Sequence, residues 1–164
     1  MRKLIVVAAA VAAFSCGGTS SSLSKDEAQS VASQLYAAMQ THADSGGSKL
    51  LTFGGSKSVT ASCAGGGTLT VNASLSVNCP SGYWSCTSTG SLSLAAAGCT
   101  TSDGVVINGT VTGTTSGAGI SFTTKVSGTI TVTRPNEGPS ACAVNLTFSY
   151  GTFSGTVCGI AVSK

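Results

Sequence analysis

The stretch Thr68-Leu-Thr-Val-Asn-Ala-Ser-Leu-Ser-Val-Asn-Cys79 alternates apolar and polar residues almost without a fault. Leu69, Val71, Ala73, Leu75 and Val77 point one way, and Thr70, Asn72, Ser74, Ser76 and Asn78 the other. A strand with one apolar face belongs to an antiparallel sheet that covers a core on one side and meets water on the other. The same period recurs in Ser58–Cys63, Ser91–Ala97, Val105–Thr112, Ile120–Thr133, Ala141–Tyr150 and Thr152–Val162. Leu50–Phe53 is a shorter candidate, so seven or eight strands are expected over residues 50–162. The expected connections are Gly65-Gly66-Gly67, Ser116-Gly117-Ala118, a two-residue turn at Tyr150-Gly151 and a longer turn over Arg134–Pro139. Short connections predict a meander, in which sequence neighbours are sheet neighbours.

Ahead of the strands the period changes. Ser24 and Glu27 form a capping box, with Asp26 and Glu27 in the first turn where the helix dipole favours them. Ala28, Val31, Ala32, Leu35 and Met39 make one apolar stripe at helical spacing. The pattern predicts a helix over 25–43, stopped by Asp44-Ser45-Gly46-Gly47. A lone amphipathic helix must bury its stripe, and the sheet is the surface available. The expected fold is mainly β (α+β): one N-terminal helix packed on a curved antiparallel meander. Gly67, Gly109, Gly128 and Gly155 each begin a Gly-Thr-apolar-Thr/Cys echo. Glycines on the inner face of strands let a sheet bend, or let another backbone approach closely.

The first residues set the compartment. Arg2 and Lys3 precede the apolar run Leu4–Phe14, which is too short to span a bilayer and fits the core of an export signal. Ala13-Phe14-Ser15-Cys16-Gly17 resembles the lipobox of bacterial lipoproteins, departing from it at Ala13 and in the bulk of Phe14. The resemblance covers only these opening residues. It implies that Cys16 becomes the lipid-bearing N-terminus, with 1–15 as signal, 16–23 as a Ser/Gly-rich tether and 24–164 as one β-rich domain. The alternative is an ordinary secretory signal that releases a soluble product.

The chain has seven cysteines. With Cys16 set aside, Cys63, Cys79, Cys86, Cys99, Cys142 and Cys158 remain, and an even set in an exported chain reads as disulfides. Setting Ser149 opposite Thr152 places Phe148 opposite Phe153 and Val144 opposite Val157. Cys142 then falls one residue from Cys158, and a single bulge would join them. Cys79 and Cys86 close a small loop around Tyr83-Trp84, which leaves Cys63 with Cys99. Tyr83 and Trp84 are the candidate contact surface, or a plug on the end of the core.

Chemistry is sparse. Charged residues are 8% of the chain and aromatics 5%. Removing Arg2 and Lys3 from eight bases leaves six against five acids, a net charge of +1. No basic patch exists to hold nucleic acid. Asp26, Glu27, Asp44, Asp103 and Glu137 form no convincing acid–base pair. His42 is the single histidine, placed where a cation suits the helix end, and no Cys-x-x-Cys accompanies it. No cofactor or metal site is expected. The expected function is a non-enzymatic envelope lipoprotein with a structural or binding role. Its partners are the membrane, through a lipid anchor, and an unidentified protein or apolar ligand. The residue after the anchor is not Asp, which leans towards the outer membrane. The rival expectation is a carrier holding an apolar ligand between helix and sheet.

Overall fold

The computed structural model describes residues 23–42, 55–80, 86–118, 121–149 and 151–164. The helix α1 spans Lys25–His42. Its start is the capping box read from the sequence: the Ser24 amide donates to Glu27 Oε2 at 2.6 Å, and the Glu27 amide donates to Ser24 Oγ at 3.2 Å. Two otherwise orphaned donors are thereby satisfied, which is worth about 1 kcal/mol. The residues expected to stop the helix, and the candidate strand Leu50–Phe53, lie outside the described residues.

Eight antiparallel strands follow: β1 Gly55–Ser62, β2 Thr68–Asn78, β3 Thr87–Thr100, β4 Val106–Ala118, β5 Ser121–Thr133, β6 Ser140–Ser149, β7 Thr152–Val157 and β8 Ile160–Ser163. Their order in the sheet is their order in the chain. Among the described residues the fold is therefore mainly β with one helix, an uninterrupted meander held by three disulfides. One lateral row runs from Lys57 on β1 through Ala73, Leu92, Val126 and Leu146 to Val162 on β8. Period two in the sequence thus becomes two whole faces of a sheet.

The structure corrects three local expectations. Ser116-Gly117-Ala118 is not a linker, because all three residues pair with β5 within β4. Thr152–Val162 is not one strand, because the chain reverses at Cys158-Gly159, with φ of 50° and 81°. Val157 then pairs with Ile160 across a two-residue turn. No bulge is needed to join Cys142 to Cys158: the turn itself swings Cys158 over β6, where its amide donates to the Ala143 carbonyl at 2.8 Å.

The inner face carries the core. Leu69, Val71, Leu94, Ile107, Val111 and Val144 are at most 1% exposed. α1 lays Val31, Ala32 and Leu35 into the same cluster. The helix touches β1 and β2 at one margin of the sheet and β7 and β8 at the other, so it fills the seam between the two edges. Three of the four echo glycines lie inside strands at positive φ: Gly109 at 115°, Gly128 at 157° and Gly155 at 146°. At Gly155 the requirement is also steric. A Cβ there would stand 2.0 Å from the Asn145 carbonyl oxygen, so β7 can cross β6 this closely only with glycine.

Candidate functional site

Each pair of cysteines singled out in the sequence meets. Cys63 bonds Cys99, Cys79 bonds Cys86 and Cys142 bonds Cys158, with Cα separations of 5.4, 4.0 and 4.6 Å. The first joins the start of the β1–β2 turn to the end of β3, and the third fixes the β7–β8 turn to β6. The second closes the loop that carries Tyr83 and Trp84. Those two aromatics, like Cys16, lie outside the described residues. All six cysteines of the β region are thus paired, and Cys16 is the one left over. Three disulfides place the domain in an oxidising, exported compartment. Among the described residues no helix is long and apolar enough to cross a membrane.

The ion pairs sit at the ends of elements. Arg134, in the β5–β6 turn, donates from Nε to Glu27 Oε1 at 3.1 Å and from Nη1 to Glu137 Oε1 at 2.8 Å. The Arg134 hydrogen bond, followed by the Ser24 amide, holds the Glu27 carboxyl down at about 2. The arrangement locks the start of α1 to the sheet. Among the described residues no group of three His, Cys, Asp or Glu side chains can hold a metal ion.

His42 differs from its expected role. Its ring is buried at the end of α1, and burial lowers its pKa, a hydrogen bond to the Lys57 backbone opposes that shift, and the Lys57 charge adds to it. Burial thus disfavours the charged form that a helix end would favour.

Polar side chains of α1 tie the helix to the sheet. Gln29 donates from Nε2 to the Ser163 carbonyl at 2.9 Å and accepts from the Ser163 amide at 3.3 Å. One side-chain amide thus satisfies both backbone groups of Ser163 on the free edge of β8, where an added strand would seek hydrogen bonds. Gln34 accepts from the Ala64 amide at 3.4 Å, and the Ser30 and Ser102 hydroxyls meet at 3.3 Å. These contacts fasten α1 to the β1–β2 and β3–β4 turns as well.

Aromatic rings pack the helix against the sheet. Tyr36, which the apolar stripe did not include, lies 6.1 Å from Phe148 and 5.4 Å from Phe153 between ring centroids. Lys164 Nζ stands 4.8 Å from the centre of the Tyr36 ring, a cation–π contact at the chain's last residue. The signal for Tyr36 was its place one turn after Ala32, on the same helix face.

The outer face of the sheet is a different surface. Its rows are hydroxyls and amides, such as Ser58, Asn72, Ser93, Thr112, Ser127 and Asn145 across β1 to β6. Only two residues of the eight strands are charged. Lys57 has the inner parity and Lys125 the outer. A cavity of about 570 Å³ lies over the middle of β1–β4. Sequence reasoning missed it, because a concavity on a strand face comes from how the whole sheet coils. Compared with models of known families, with curated proteins and with solved structures, the chain matches none.

Proposed function

We propose that the protein is an exported, non-enzymatic envelope lipoprotein, anchored at Cys16 and presenting a disulfide-stapled β domain at a membrane surface. The observation that carries this reading is the cysteine pairing. Six cysteines close three bridges within the domain, and the seventh lies ahead of it in the lipobox-like stretch Ala13–Gly17. A free thiol in an oxidising compartment is a liability, whereas attachment of a lipid through the sulfur would consume it. The Ser/Gly-rich run Gly17–Leu23 would serve as a tether. In the outer-membrane assignment, the absence of Asp after Cys16 is the supporting feature. The scattered, structurally engaged charges support a role in contact rather than in catalysis.

For the carrier alternative, the close burial of the side chains between helix and sheet is the adverse observation. Phe153 and Leu35 are 2% exposed and Val31 is fully buried, in the layer where an apolar ligand would have to lie. Another cavity, of about 610 Å³, lies where α1 meets β7 and β8, and its lining mixes Lys25, Asp26 and Gln29 with Gly155, Ala161 and Val162.

Blocking the lipoprotein signal peptidase tests the anchor. The reading expects the uncut precursor to accumulate under a globomycin-type inhibitor, and Cys16→Ser to shift the product from membranes to the soluble fraction. Normal cleavage under the inhibitor, with a water-soluble product, would overturn it.

A further inference from the structure

We infer that Cys79–Cys86 is a site of thiol–disulfide exchange with an external dithiol, whereas Cys63–Cys99 and Cys142–Cys158 are closed to it. The inference goes beyond the envelope reading and does not depend on a lipid at Cys16.

Three bridges of one chemistry sit in two environments. Cys63, Cys99 and Cys142 are 6%, 0% and 1% exposed and belong to the core cluster, and Cys158 packs against it. Cys79 is exposed and Cys86 half-buried, and neither belongs to that cluster. The difference follows from position along the strands. On the inner parity of β2, burial fades from Val71 at 1% through Leu75 at 8% to half-buried Val77 and exposed Cys79. The bridge therefore stands where the core has run out.

Exchange needs an approach and an exit. A thiolate must reach one sulfur of the bridge, and the other sulfur must leave as a thiolate. At Cys63–Cys99 both residues are buried, so there is no approach. At Cys142–Cys158 the half-buried Cys158 offers an approach, but the leaving group would be Cys142, in an apolar core that disfavours the thiolate. At Cys79–Cys86 the exposed Cys79 takes the attack, and Cys86 leaves outside the core cluster.

The chemistry balances with a dithiol as reductant. One of its thiolates attacks Cys79 Sγ, the bridge breaks, and Cys86 Sγ leaves and takes up a proton. The second thiol of the reductant then attacks the reductant's own sulfur in the mixed disulfide and releases Cys79. Two electrons and two protons pass to the protein, and the dithiol becomes a disulfide. In an oxidising compartment the pair rests closed.

The sheet holds its shape through the step. β2 and β3 pair without interruption from Thr68↔Ala97 to Asn78↔Thr87, the pair next to the two cysteines. β3 is held in turn by β4 as far as Thr87↔Ala118. These ladders keep Cys79 and Cys86 opposite each other when the bridge is open, so little loop-closure entropy opposes its return. Opening either of the other bridges must first disturb the core, and local unfolding of that kind slows the reaction.

The test is timed reduction of the folded protein with dithiothreitol, quenched by alkylation and mapped by peptide mass. The expected result is that Cys79 and Cys86 are labelled together, at least tenfold faster than either other pair, with the far-ultraviolet circular dichroism unchanged. Oxidised glutathione should then restore the same bridge. In the double variant C79A/C86A the other two bridges should open as slowly as in the parent. Cys16→Ser should keep the parent's order of opening, so failure of the anchor and failure of the exchange site are read separately. Comparable labelling of Cys63, Cys99, Cys142 or Cys158, or labelling of Cys79 and Cys86 only as the fold is lost, overturns the inference. So does faster opening of the other bridges in the double variant, which would make Cys79–Cys86 a structural clamp.

Discussion

The two faces of the sheet are made from alternate residues of the same strands, yet they differ in almost every physical respect. The inner face holds Phe148, Phe153, Ile107 and the valines, nearly dry and locked under α1. The outer face holds serines, threonines and asparagines, with Lys125 as its single charge among the described residues. Burial free energy comes almost wholly from the first, at about 1.5–3 kcal/mol for each large apolar side chain. The second contributes little to stability, which leaves it open to be shaped for contact. In a protein with so few charges, solubility falls to hydroxyls.

Mutation can break that asymmetry, and the largest effect belongs inside. Phe153→Ala removes the ring that joins α1 to β6 and β7. It should cost about 3–5 kcal/mol, read by urea denaturation. Replacing Cys63 and Cys99 with alanine should cost about 4 kcal/mol, because the bridge spans 36 residues. The same change at Cys79 and Cys86, which span 7, should cost about 2 kcal/mol. If the order of the two bridges is reversed, chain entropy is not what makes them stabilising.

At the helix start the effect is smaller and depends on pH. The folded pKa of Glu27 lies well below its ordinary value, so its contribution is complete above pH 4.5 and lost as the pH falls from there towards about 2. Glu27→Gln should cost about 1 kcal/mol at neutral pH, and the gap to the parent should close over that acidic window. His42 acts at higher pH. Its folded pKa is also lowered, so stability is complete above about pH 6.5 and declines below it as the unfolded chain takes up the proton. His42→Gln should remove that upper limb and leave the Glu27 limb in place. Smallest of all, Ser127→Ala on the outer face should shift stability by no more than about 0.5 kcal/mol. A loss of several kcal/mol there would end the division of labour between the faces.

Much of this architecture was legible locally. Thr68–Asn78 announced a strand with one wet face, Ser24 and Glu27 announced a capped helix, and counting back from Ser149 and Thr152 aligned Phe148 with Phe153. The Cys158-Gly159 reversal was legible too, through a slip of parity. Phe153 and Val157 are odd-numbered while Ile160 and Val162 are even, and the two-residue turn returns both sets to one face. The linker at Ser116–Ala118 was misplaced because glycine and serine read as turn formers, while pairing with Ser121, Phe122 and Thr123 decided the matter. Contacts across long separations were not legible. Nothing near Glu27 in the chain points to Arg134, and nothing in Gln29 points to the edge of β8. The cavity over β1–β4 belongs to the same class, since its hollow is a property of four coiled strands together.

The central claim is that one cysteine anchors the chain while six staple it. Intact mass spectrometry of the protein extracted from membranes, alkylated without reduction, tests both halves at once. The account predicts an N-terminus at Cys16 carrying lipid mass, with no alkylated thiol. A lipid-free chain with one alkylated cysteine would contradict it.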